Sequence, residues 1–398
     1  MKTLALATFV TTLGNGLSFT ASALYAIRVV HLTNQQLGFG LGVAALVALV
    51  AGIGIGHLAD RFGPREVLLG VVAAQGALSA GYAFVRTYPL FLAVVIGLAV
   101  ANQGGANVRG ALVAHLTDPA TRIKERAFLR AVTNSGIGLG TIAAGFAITV
   151  DTPTAYITIL LFDSLSFFGS LLLLSRLPHV PPAPKHEAAS PTQALRDRKF
   201  VAASVLMGVM CIHYSMIEVG LPLWVVQQTR APRWAIAVVF VINTVMCVLF
   251  QVRASRGTDG PADAARVLRA SSVLLAASCF IFWTAHGRSP ATAVVLLIVG
   301  GLVQVFGEVR QAAASWGIGY GLTPDHAQGQ YQSVWQSSFT IASFIGPPLL
   351  AGFVVTSGLL GWTVMAAIFI VAGCLMVPLV ESALAERAVA ADAPVAAD

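Results

Sequence analysis

Charge is what this chain has least of. Only 10% of its 398 residues are Asp, Glu, Lys or Arg, against about 25% in an ordinary soluble domain. A water-covered surface of normal size cannot be built from that supply. Cysteine is scarce as well. Cys211, Cys247, Cys279 and Cys374 each fall inside an apolar run without close spacing, which excludes a disulfide framework and a zinc site. The chain has no G-x-x-x-x-G-K-[ST], so ATP hydrolysis by a P-loop is excluded. H-E-x-x-H, C-x-x-C and G-x-S-x-G are missing too, and His186-Glu187 has no second histidine beside it. Neither an enzyme nor a cofactor nor a metal is expected.

Apolar sequence fills the space that charge leaves. Hydrophobic residues make up 57% of the chain and the mean hydropathy is +0.80, which points to a multi-pass membrane protein. A membrane helix takes about 20 residues, so twelve spans use roughly 240 and leave about 158 for loops, linker and tail. Cutting at charge clusters and turn residues gives spans at about 4–27, 36–58, 66–85, 89–113, 127–149, 154–176, 200–226, 233–252, 267–286, 290–315, 329–355 and 360–381. The first run, Thr3 to Ile27, is 25 residues without charge. That is longer than the 7–15 of a signal-peptide core, so it reads as a retained first helix.

Lysine and arginine set the orientation. With both termini inside, 19 of the 24 basic residues are cytoplasmic; only Arg28, Arg86, Arg230, Arg233 and Arg288 lie outside. The net charge of +7 is thus spread over cytoplasmic loops and is not gathered along a nucleic-acid groove. A Pro-rich stretch beginning Leu177-Pro178-His179-Val180-Pro181-Pro182 cuts the spans six and six. The expected parts are a bundle over 1–177, a cytoplasmic linker over 178–199, a second bundle over 200–385 and a disordered cytoplasmic tail over 386–398.

The densest cluster of charge and glycine is Gly56-His57-Leu58-Ala59-Asp60-Arg61-Phe62-Gly63-Pro64-Arg65, a tight polar turn between spans two and three. A shift of 197 residues places Gly63-Pro64 on Gly260-Pro261. A shift of 206 places Leu116-Thr117 on Leu322-Thr323 and Gly140 on Gly346. Two halves in parallel duplication account for both offsets.

The 56–65 turn resembles the G-x-L-a-D-r-x-G-r-r motif of the major facilitator superfamily, and the six-plus-six layout agrees. Pro64 departs from the usual basic residue, and Gly257-Thr258 stand where a second Asp-Arg pair would fall. The resemblance implies an all-α membrane protein of 12 transmembrane helices in two pseudo-symmetric six-helix bundles. It also implies that Gly56, Asp60, Arg61, Gly63 and Arg65 form a conformational turn, with Asp60 latched to an arginine low on helix 4 and to the end of helix 11. Arg109 is the candidate arginine. The plainer alternative is that the arginines anchor the inside face and Asp60 caps helix 3.

Ionisable residues within spans are costly and commonly functional. Gln304, Glu308 and Gln311 lie at i, i+4 and i+7, one face of helix 10. Placing a charge in the bilayer costs ~3 kcal/mol on insertion scales, so a carboxyl there can lose and regain its proton as its surroundings change. Glu218 and Tyr214, one turn apart on helix 7, are a second candidate pair, with His213 beside them. Drug/proton antiporters of the resembled family often carry acids on helices 7 and 10, which implies proton coupling through Glu308 and Glu218. Asp163 and His213 are weighed with them, against simple helix-to-helix hydrogen bonding. Asn15, Asn134, Gln332 and Gln336 complete the expected cavity lining, together with Tyr214, Gln304 and Gln311. Helix 5 is glycine-rich at Gly136, Gly138, Gly140 and Gly145 but lacks the proline of the drug-exporter pattern; Gly346-Pro347-Pro348 stands instead on helix 11.

The sequence therefore reads as a secondary transporter: a proton-coupled exporter of small organic molecules in a bacterial cytoplasmic membrane. Its expected partners are substrate, protons and lipid, with no nucleic acid, and a monomer suffices. The alternatives are a symporter importing a sugar or other nutrient, and a transporter-like sensor that binds ligand but moves nothing.

Overall fold

The computed structural model describes residues 1–148, 152–181, 192–324 and 327–392, and no strand occurs among them. In the first half α1 is Lys2–Arg28, α2 Asn34–Phe62, α3 Pro64–Tyr82, α4 Tyr88–Leu116, α5 Pro119–Ile148 and α6 Pro153–Leu174. After a single turn at Gln193–Arg196 come α7 Arg198–Gln228, α8 Trp234–Ala254, α9 Pro261–Thr284, α10 Pro290–Gly321, α11 Gln328–Ser357 and α12 Leu359–Asp392. Among the described residues nine of these are long and apolar enough to cross a membrane.

Local chemistry sets many of the boundaries. Thr33 and Gln36 form a reciprocal capping box at the start of α2. Asp197 accepts from the Phe200 amide at 2.9 Å and opens α7 at Arg198. Proline occupies the first turn of α3, α4, α6, α9 and α10, where its missing N–H costs nothing.

Two expectations change here. The tail was placed from residue 386, yet α12 continues to Asp392. Alanine has the best helix propensity, and Glu386 and Arg387 pair with Lys199 and Asp197 at 2.7 and 3.0 Å. Residues 393–398, and 182–191 of the linker, lie outside the described residues. The second change is that α7 and α11 are not uniform helices: each holds a π-helical turn, at Met216–Gly220 and Leu350–Val354.

The chain divides into two compact units, residues 1–191 with 324–336, and residues 192–323 with 337–398. In the first, α1 packs on α5 and α6, α2 on α4, and α3 on α4 and α6. Gly136 and Gly140 carry α5 onto α1 so closely that a side chain at either would collide with Thr12 or the Leu13 carbonyl. In the second, α9 packs on α10 and α12, α8 on α10, and α7 on α12. Trp224 anchors this unit, donating to the Phe282 carbonyl at 2.9 Å and meeting Trp362 edge-on at 5.4 Å. Large apolar side chains point outward on both, among them Val50 at 74% and Leu249 at 63% exposure. Water would oppose such a surface; lipid favours it.

Candidate functional site

The 56–65 turn is built as its residues dictate. Gly63 ends α2 and starts α3 at φ 92°, a backbone that other residues adopt only with strain. Pro64 is the first residue of α3, so the departure from the usual basic residue is absorbed. Arg65 donates to the Ser175 carbonyl at 2.6 Å and pairs with Glu66, tying α3 to the end of α6. Arg61 is exposed, its guanidinium 5.4 Å from the centre of the Phe62 ring.

Asp60 meets backbone amides. Gly329 N–H donates to its Oδ1 at 2.7 Å and Gln330 N–H to its Oδ2 at 3.1 Å. These are orphan donors of the first turn of α11, and a carboxylate there also complements the helix dipole. Gly56 and Gly329 allow the approach, because a Cβ on Gly329 would overlap the Gly56 carbonyl. Arg109 makes no ion pair with Asp60 among the described residues. Of the two partners implied for Asp60, the structure shows the end of α11 alone. The second-half counterpart is different again: Pro261 starts α9 as Pro64 starts α3, but Gly257, not Gly260, has the positive φ.

The second unit holds a buried polar cluster. On α10, Glu308 (5% exposed), Gln304 (0%) and Gln311 (1%) turn inward together. Asn243 Nδ2 of α8 donates to Glu308 Oε2 at 2.8 Å, Gln304 Nε2 donates to the same oxygen at 3.3 Å, and the Cys247 thiol approaches Oε1 at 3.6 Å. Gln304 Nε2 also reaches His213 Nδ1 at 3.3 Å. His213 Nε2 lies 3.4 Å from Gln311 Oε1, which the Tyr214 hydroxyl reaches at 3.5 Å. Tyr214 in turn meets Phe339 edge-on, centroids 5.3 Å apart. Glu308, Gln304, His213, Gln311 and Tyr214 are thus one connected chain.

Not every expected residue joins it. Glu218 lies in the π turn, is exposed, and among the described residues makes no hydrogen bond to the cluster. Pro222 has no N–H for the Glu218 carbonyl, and Leu221 N–H bonds Met216 O instead. That wider turn interrupts the regular α-helix between Tyr214 and the end of α7. In the first unit Asp163 is buried on α6, with Oδ2 accepting from Ser79 at 2.8 Å. Its Oδ1 lies beside Gly14 and Ser166 and has no hydrogen-bond partner among the described residues. Asn15 and Asn134 are half-buried on α1 and α5. Gln332 packs against Gly110 of α4, and both Gln332 and Gln336 belong to the first unit. Arg310, two residues beyond Glu308, is exposed.

Asn243 and Cys247 were not singled out from sequence as site residues. Their i, i+4 spacing on an otherwise apolar helix was the available signal. The amides of Gly329 and Gln330 leave no side-chain trace at all.

Comparison with known proteins agrees with the helical layout. The family model described as Major Facilitator Superfamily matches residues 4–347. Tetracycline resistance protein, class C, of Escherichia coli is 24% identical over 359 residues, covering 86% of this chain and 87% of that protein. An uncharacterised MFS-type transporter of Methanocaldococcus jannaschii is 32% identical over 133 residues, 33% of either chain. Among solved structures, the human organic anion transporter MFSD10 superposes with a TM-score of 0.72 at 16% identity, over 94% of this chain and 99% of that one. FucP in its outward conformation gives 0.70 at 15% identity, over 96% and 98%. At such identities the solved structures show the fold alone. Matched over most of its length, this all-helical, multi-pass membrane protein belongs to the Major Facilitator Superfamily.

Proposed function

We propose that this transporter is a proton-coupled exporter of small organic molecules, working by alternating access in a bacterial cytoplasmic membrane with both termini inside. The observation that carries the reading is Glu308: a carboxyl buried within a membrane helix, met by amides from two helices. Amides hold an anion without neutralising it, and they tolerate a carboxylic acid as well. The group can therefore exist in both protonation states without the cluster being dismantled. Similarity to a tetracycline resistance protein over 86% of the chain supports export of an organic substrate, and the excess of arginine and lysine in one set of loops supports the orientation. The chain moves its substrate without converting it, and a monomer is sufficient.

Tetracycline and a panel of organic cations, tested in proteoliposomes with an imposed proton gradient, check this. The wild-type protein is expected to drive at least one of them against its gradient. Glu308→Gln is expected to lose proton-driven transport while retaining substrate exchange at equal pH. Glu308→Gln transport equal to wild type would remove Glu308 from coupling. Uptake of a sugar with an inward proton flow would replace export with symport.

A further inference from the structure

Asp60 does not hold the start of α11 alone. One turn earlier on α2, His57 meets the side chain of a residue whose backbone Asp60 holds. Gln330 Nε2 lies 3.3 Å from His57 Nδ1, while the Gln330 backbone N–H donates to Asp60 Oδ2 at 3.1 Å. Gln330 is buried, and its Oε1 has no hydrogen-bond partner among the described residues. His57 is half-buried near the end of its helix, where its ring is within reach of water. Histidine is the side chain whose charge ordinarily changes between about pH 5 and pH 8.

With Nδ1 accepting from the amide, the neutral ring carries its proton on Nε2. A second proton, taken from water, goes to Nδ1 and makes the ring a cation. The Gln330 amide then turns, so that Oε1 accepts from the Nδ1 proton and Nε2 takes the place Oε1 leaves. One amide atom is without a partner before and after, and the backbone amides of Gly329 and Gln330 still donate to Asp60. What changes is the strength of the hold. The side-chain link becomes charge-assisted, roughly twice as strong as one between neutral groups. A positive charge also stands one helical turn from the Asp60 carboxylate and attracts it. A contact that favours the protonated ring gains stability on the acid side and loses that gain as the pH rises through the histidine range.

We propose that His57 is a pH sensor for the contact between α2 and the start of α11: its protonated ring tightens the hold on Gly329 and Gln330, and its neutral ring relaxes it. His115 of α4 is the other group whose charge reaches Asp60; it is exposed, and its Nδ1 donates to the Ala111 carbonyl at 2.9 Å. Lys2 of α1 and Arg61 of α2 are exposed, Arg65 of α3 is paired with Glu66, and Arg109 of α4 makes no ion pair with Asp60 among the described residues. On α11 the one titratable residue before Ser337 is Tyr331, which is buried. Asp325 and His326 lie outside the described residues. Residues 328–336 of α11 group with the first unit and the rest with the second, so a tighter hold slows any change that parts α2 from α11. This end is cytoplasmic in the orientation proposed above, and an exporter that brings protons in is thereby checked as the interior acidifies. That consequence rests on the proposed function; the pH dependence of the hold does not.

Hydrogen exchange read by mass spectrometry, on the full-length protein in lipid nanodiscs from about pH 8 to about pH 5.5, tests the sensor. Rates at the Gly329 and Gln330 amides are divided by those of the unfolded chain at the same pH, which removes the intrinsic effect of acid on exchange. Protection in the wild-type protein is expected to rise about tenfold with acid, the equivalent of one pKa unit. His57→Gln, which keeps an amide to bond Gln330 but carries no charge, should make protection flat. His115→Gln, His326→Gln and Glu308→Gln should each keep the rise. A rise that survives in His57→Gln, or that is lost in any of the other three, would overturn the proposal. Flat protection in the wild-type protein would do so too, and that result needs no variant to fold. No substrate and no proton gradient enter the measurement, so a failure of proton-driven transport in proteoliposomes leaves it to stand or fall separately.

Discussion

At the scale of single residues, the two acids that matter most are satisfied in opposite ways. Glu308 is met by side-chain amides from α8 and α10, and Asp60 by two backbone amides at the start of α11. Hydrogen bonds to charged groups contribute roughly 1.5–3 kcal/mol each. Asp60→Asn should therefore speed hydrogen exchange at the Gly329 and Gln330 amides by at least about tenfold, whereas Arg109→Gln should leave both unchanged. Protection lost in the Arg109 variant instead would restore the arginine as the partner of Asp60. The candidate carboxyls were legible in the sequence because a charge inside an apolar run is conspicuous. For Asp60 the family resemblance already implied the end of helix 11, though not which groups there; the partner of Glu308 was not legible, because an asparagine on a distant helix carries no mark of what it bonds.

At the scale of elements, periodicity predicts the helices and fails where proline alters the hydrogen-bond register. Pro222 leads to the π turn in α7, and the second π turn follows Pro347 and Pro348 in α11. The two turns touch, since a Cβ on Gly220 would lie 3.3 Å from Leu350. An interior proline costs a helix about 3 kcal/mol. Pro222→Ala should thus raise the melting temperature, draw residues 216–220 into regular α-helix, and slow transport. A variant that is stabilised and as active as the parent would separate the π turn from function. The surroundings of Tyr214 and Glu218 were not legible in the sequence: spacing places two residues on one face but does not say which helices that face meets.

At the scale of the whole molecule, the sidedness of charge gives a prediction independent of any substrate. Three of the four cysteines are buried and Cys374 is exposed, so Cys374→Ser provides a quiet background. A membrane-impermeant thiol reagent applied to intact cells should label Thr229→Cys. It should reach Lys185→Cys only in inside-out vesicles. The reverse pattern would invert the topology. Here the sequence is at its most informative, because lysine and arginine counts act directly on insertion and need no knowledge of packing.

What the sequence determined by itself was the set of apolar helices and the turn at 56–65. These follow from interactions between near neighbours in the chain and between the chain and its solvent. Only the tertiary structure decided that residues 324–336 group with the first unit, that the end of α11 meets Asp60 through the Gly329 and Gln330 amides, and that Asn243 and His213 join Glu308 in one cluster. Those contacts link residues far apart in sequence, and the hydrogen-bond partner of a buried polar group is set by which helices are brought beside it.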